Sequence, residues 1–261
     1  MRFRTLTAAA GVAALSLTGT AFTGTASAAA YPVKTPALTE SALYTLGPLA
    51  ETDCAEEPIK NNDRASAQRY LTAMKQCLDA TWEATTATSA EVEFSAPKLA
   101  FATKLPRKFC GYTVDKYNSQ SFYCDKTRTI TYMLGKAYLA EADDMWLMQN
   151  LSFHYGEHVQ YLTGIEKAWY KLRYKGEKEL REQNRRLNLQ NDCLSGAFIK
   201  SIWPSLRRDN RDWNELLGII KANGDTWGGK GGSRAAWTKS GFATGDPASC
   251  NTWTAPSSKV A

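Results

Sequence analysis

Histidine is the scarcest chemistry-bearing residue in this 261-residue chain, with only His154 and His158. Both fall in one short motif, and the sequence alone assembles no Ser–His–Asp arrangement around either. The six cysteines never form a Cys-x-x-Cys pair, which argues against a zinc–thiolate centre. Long runs of like charge are missing too. Lys and Arg number 32 against 26 acids, for a net charge of +6. Even the densest stretch, Lys167 to Arg186, alternates sign at helical spacing. That is a solvated helix face and not a nucleic-acid surface. No apolar run reaches the roughly 20 residues of a membrane span.

What is present begins with an export signal. Arg2 and Arg4 precede a stretch from Leu6 to Phe22 rich in Ala, Leu, Val, Gly and Thr, and Ala26-Ser27-Ala28 gives a small-x-small cleavage site. Residues 1–28 are read as a signal peptide, and the protein as secreted. Those two arginines account for two of the six excess positive charges, leaving +4 on the mature part. An even cysteine count in an exported chain points to disulfides. Sequence cannot choose among the fifteen connectivities open to six cysteines. Nearest-neighbour pairing is the expectation: Cys54–Cys77, Cys110–Cys124 and Cys193–Cys250. Six oxidised cysteines would leave no thiol nucleophile.

Along the chain, residues 29–62 lack a clear period and read as an extended lead-in to a single domain over 63–261. Leu71, Met74, Leu78 and Trp82 predict a helix from Asp63, its N-cap, to Thr86. Strand signals follow at Leu99–Ala102, Ser121–Cys124 and Thr127–Met133, the last two joined as a hairpin through Asp125-Lys126. Helices are expected over 143–163, stopped by Gly164, over 177–203, ended by Pro204, and over 209–223. A glycine-rich loop, 228–232, should precede a short helix near 234–240; it lacks the spacing of a phosphate loop. Trp203, Trp213, Trp227 and Trp237 read as packing anchors. The order predicts an α+β fold with a small antiparallel sheet against a mainly helical half.

His154 and His158 lie four residues apart in Phe153-His154-Tyr155-Gly156-Glu157-His158-Val159-Gln160. At about 100° per residue the two imidazoles share one helix face. His-x-x-Glu-His is the inverted zinc-peptidase pattern, with His154 and His158 as ligands and Glu157 as general base. On the same helix, however, Leu147, Leu151, Tyr155, Leu162 and Ile165 form an apolar stripe, with His158 in its middle and His154 at its edge. A hydrogen-bonded core histidine is therefore the competing reading.

Much of the mature chain resembles the neutral zinc metallopeptidase family of bacteria. That family shows H-E-x-G-H-H-V-Q, then a Gly-Ile pair, then E-L-Q-x-D/E-C on a later helix. The frame is kept here in Gly156, His158-Val159-Gln160, Gly164-Ile165 and Leu189-Gln190-Asn191-Asp192-Cys193. The resemblance implies a zincin-like fold, and it places the zinc ligands at Phe153, Glu157 and Asn188 and the catalytic glutamate at His154. All four residue types have changed. Asp192 survives where the resemblance implies a residue that orients a ligand. The expectation is a secreted, catalytically degenerate relative that holds no zinc and could bind a peptide or protein. The alternative is an active zinc endopeptidase in the inverted register, with Glu177, Glu179 or Glu182 as candidate third ligand.

Overall fold

The computed structural model describes residues 30–114, 119–140 and 144–261. The expected signal peptide, 1–28, lies outside the described residues. Two helices dominate the interior: α4 (Asp144–Leu162) and α6 (Glu177–Ile202). Helix α6 is packed on one side by α4 and on the other by α8 (Gly231–Thr244). Glycine makes the second contact possible. A Cβ on Gly241 would overlap the Cys193 carbonyl, and one on Gly196 would overlap that of Thr238. Helices α2 (Arg64–Thr86) and α7 (Asn210–Ala222) pack around this centre. Asp63 caps α2 through the Ser66 amide, and Asp209 caps α7 in a reciprocal box with Asp212. Helix α4 ends at Gly164, whose φ of 74° is left-handed.

The sheet contains β1 (Lys98–Phe101), β4 (Gln120–Cys124) and β5 (Thr129–Met133), in the order β1-β5-β4. It is mixed, not antiparallel as expected: β1 runs parallel to β5, while β4 and β5 form the expected hairpin. The reversal arises between β1 and β4. There the chain makes a separate ribbon, β2 (Lys108–Phe109) with β3 (Tyr112–Thr113), before returning. One further reversal at 125–128 then brings β5 back in the direction of β1. Side chains alternate across the sheet. Ile130, Tyr132 and Tyr123 join the main core, whereas Met133 and Phe122 pack with Leu105, Val114 and Phe109 under the ribbon.

Several short elements escaped the sequence reading. The lead-in is not wholly extended. It makes a helical turn α1 (Pro36–Thr39) and a 3-10 turn at Ala42–Thr45, and single residues, Leu38 and Leu43, anchor it in the core. One anchor per turn is too sparse to produce a period. Helices α3 (Lys136–Leu139) and α5 (Ile165–Tyr170) are equally brief. Helix α8 begins inside the glycine-rich segment, where a Cβ on Gly231 would overlap the Lys221 carbonyl. Disulfides join Cys54–Cys77, Cys110–Cys124 and Cys193–Cys250, with Cα separations of 5.9, 5.6 and 5.4 Å. They fasten the lead-in to α2, the ribbon to β4, and the C-terminal coil to α6. Among the described residues no helix is long and apolar enough to cross a membrane.

Candidate functional site

Helix α4 lies between the sheet, α2 and α6, so Gln149, Ser152, His154, His158 and Gln160 are buried along with its leucines. Leu147, Leu151 and Tyr155 are fully buried, and so is His158; Leu162 is only half-buried. Buried polar groups need partners, and α4 finds them on both neighbours. Gln149 donates to Asp192 and Ser195, and Gln160 to the Leu187 carbonyl and Gln190, all on α6. Toward the sheet the match is one of repeats. Ser121 and Tyr123, two apart on β4, stand about 6.6 Å apart along the strand. His154 and His158, four apart on α4, are separated by about 6 Å of helix rise. Each imidazole therefore meets one hydroxyl.

At the inner position His158 Nε2 lies 2.6 Å from the Ser95 carbonyl oxygen, and Nδ1 lies 2.9 Å from the Tyr123 hydroxyl. A carbonyl only accepts, so Nε2 carries the proton and Nδ1 accepts from Tyr123. Burial pushes this imidazole below its ordinary value, which favours the neutral ring. Burial likewise raises the Tyr123 hydroxyl well above its usual range, so it stays a donor. At the outer position His154 Nδ1 lies 2.6 Å from Glu157 Oε2, and Nε2 lies 2.9 Å from Ser121 Oγ. Ser121 also reaches Asn150 Oδ1 at 3.0 Å and the Tyr138 hydroxyl at 3.3 Å. Asn150 Oδ1 accepts from the Tyr132 hydroxyl at 2.8 Å.

The remaining positions singled out in the sequence form a second group. Half-buried Phe153 stands edge-on to the His154 ring, with the Arg234 guanidinium 5.9 Å from its own ring centre. Arg234 grips both oxygens of Asp192, Nε at 2.9 Å and Nη2 at 3.0 Å. Asp192 is fully buried, and burial raises its carboxyl pKa against the opposing pull of Arg234. Asn188 turns its amide back to the Asn184 carbonyl at 2.8 Å. The three glutamates considered as third ligands are engaged elsewhere: Glu177 with Arg181, Glu179 with the Lys175 amide, and Glu182 with Arg186 and Ser257. Among the described residues, the one trio of His, Cys, Asp or Glu whose donor atoms converge is Cys110, Cys124 and Asp125. Its two sulfurs are already joined as a disulfide.

Comparison with known proteins places the chain. A family described as "Putative neutral zinc metallopeptidase" matches residues 41–253. The chain belongs to this family. YpfJ of Escherichia coli K12 is 28% identical over 181 residues, which cover 61% of this chain and 62% of the relative. The YpfJ protein of E. coli O6:H1 gives the same figures. The chain thus spans about 62% of the length of the curated relatives it matches. No solved structure matches significantly.

Sequence reasoning singled out both histidines, Glu157 and Asp192. It missed Ser121, Tyr123, Ser95 and Arg234, the groups that decide what each of the four does. A hairpin's register against a helix two elements later leaves no local signal. Only the two-residue spacing of hydroxyls in Ser121-Phe122-Tyr123, set against the four-residue spacing of the histidines, hinted at the match.

Proposed function

We propose that this chain is a secreted member of the neutral zinc metallopeptidase family that has given up the family's zinc and keeps its zincin-like fold around a cleft that holds a peptide or protein. The observation that carries the reading is the residue set at the family's zinc position. Zinc in a peptidase requires three protein ligands with free lone pairs around an open coordination position. Phe153 offers none, and its ring instead faces the Arg234 guanidinium. Asn188 offers an amide turned toward its own helix. Glu157 holds the His154 imidazole at 2.6 Å. These residues do not fit the metal, and no catalytic step is derived through it.

The inverted register fares no better. It would require His158, sealed from solvent, to give up the Ser95 carbonyl or the Tyr123 hydroxyl, and His154 to give up Glu157 or Ser121. Its donor atoms also gain no converging third carboxylate among the described residues. Secretion is supported by the basic, apolar, Ala-Ser-Ala order of residues 2–28 and by the even cysteine pairing.

Metal analysis of protein purified without chelator tests this reading. The expected result is far less than one zinc per chain. About one tightly held zinc per chain overturns it.

A further inference from the structure

We propose that Ser121, His154 and Glu157 form a nucleophile–base–carboxylate relay that transfers acyl groups from carboxylic esters or amides to water. The proposal rests on the metal-free reading above and goes beyond it, since it gives the altered site a chemistry of its own.

The geometry carries it. The carboxylate lies on Nδ1 at 2.6 Å and the hydroxyl on Nε2 at 2.9 Å, the connectivity that lets an imidazole take a proton from a serine. Glu157 only accepts, so the ring nitrogen facing it carries a proton. In the neutral imidazole the lone pair is then on Nε2, aimed at Ser121 Oγ. The serine's single proton has two acceptors within reach, Asn150 Oδ1 at 3.0 Å, which also accepts from Tyr132, and His154 Nε2 at 2.9 Å. Rotation of the hydroxyl about its C–O bond carries the proton from Asn150 to His154, and Asn150 keeps its bond from Tyr132. The relay is also reachable: the His154 and Glu157 side chains are 10% and 20% exposed, and Ser121 is half-buried.

The step balances. Ser121 Oγ bonds to the acyl carbon as its proton passes to His154 Nε2. The bond from the acyl carbon to the leaving oxygen or nitrogen breaks, and that atom takes the proton from Nε2. Water then gives a proton to the same nitrogen as its oxygen bonds to the acyl carbon; the bond from that carbon to Ser121 Oγ breaks, Oγ takes the proton back from Nε2, and the acid leaves. The Tyr138 hydroxyl, 3.3 Å from Ser121 Oγ, is placed to donate to the carbonyl oxygen as it gains charge. Its proton is secure, because burial raises its pKa. Glu157 acts through His154 as a positioning residue.

The test is reaction of the full mature chain with a fluorophosphonate, which phosphonylates activated serines. Peptide mapping and the rate of p-nitrophenyl acetate hydrolysis are read in parallel. One adduct per chain on Ser121, formed equally with and without chelator, is expected. Ser121→Ala should lose it. His154→Gln should slow labelling and hydrolysis at least about a hundredfold. Glu157→Gln should slow them at least about tenfold, with partial recovery in Glu157→Asp, a rescue that a merely structural carboxylate would not give. No adduct on the wild-type protein with its three disulfides and near-ultraviolet dichroism intact overturns the proposal. So does labelling that persists in Ser121→Ala. Zinc content is measured on the same sample, so failure of the metal-free reading and failure of the relay are told apart.

Discussion

The two ends of the contact between α4 and β4 are built from the same parts and differ in one. Each pairs an imidazole with a hydroxyl, and each imidazole has a third partner on its other nitrogen. At His158 that partner is the Ser95 carbonyl, inside a sealed core. At His154 it is the Glu157 carboxylate, at a partly open edge. A carbonyl fixes the tautomer so that the lone pair accepts from Tyr123, and the imidazole is spent on structure. A carboxylate on Nδ1 leaves Nε2 aimed at a serine. Identity of the third group and access to solvent thus separate a packing histidine from a reactive one on a single helix face.

Rebuilding the family's ligand set is the strongest way to break that comparison. Phe153→His, His154→Glu, Glu157→His and Asn188→Glu together should raise zinc affinity at least about a hundredfold, read by competition with a chromophoric chelator. The serine chemistry proposed for the outer end should disappear in the same protein. Unchanged zinc affinity would show that the frame around these positions no longer forms the family's site.

Truncating the two histidines separately should sharpen the contrast. His158→Ala leaves a cavity and strands two buried polar groups, so it should cost about 3–5 kcal/mol in urea unfolding. His154→Ala, at the open edge, should cost about 1–2 kcal/mol. The reverse order would contradict the assignment of His158 to the core. A finer cut follows at the hydroxyls. Tyr123→Phe should cost about 1–2 kcal/mol, and Ser121→Ala less than about 1 kcal/mol.

The smallest expected effect lies where α4 meets α5. Glu166 lines a cavity of about 770 Å³ with Glu91, Glu93, Asp125 and Tyr170. Burial first, then Asp125 and Glu157, push its carboxyl up to about 7 from an ordinary 4.5. A group that binds its proton more tightly folded than unfolded stabilises the fold below pH 4.5, and that contribution is lost as pH rises through about 7. Glu166→Gln should therefore narrow the difference in melting temperature between pH 4.5 and pH 8. An unchanged difference would place Glu166 in solvent instead.

Much of this molecule was legible before folding because it is written locally. The period of Leu71, Met74, Leu78 and Trp82 defines α2, Gly164 ends α4, and Asp209 starts α7. Cysteine order sufficed for the disulfides because each bridge joins neighbours in sequence. The direction of β1 was not legible, since it depends on how many times the chain reverses between Phe101 and Gln120. Nor was the role of either histidine. The motif supplied their spacing, while their partners come from Ser95, Ser121 and Tyr123, at least 33 residues away. Arg234, which occupies the face of Phe153 and holds Asp192, lies 42 residues beyond its carboxylate.

With two histidines in the chain, nitrogen-detected NMR of the imidazoles during zinc titration reads the central claim directly. The account predicts His158 locked as the Nε2–H tautomer, with the signals of both rings unmoved by one equivalent of zinc. Displacement of both sets to metal-bound positions at one equivalent would contradict it.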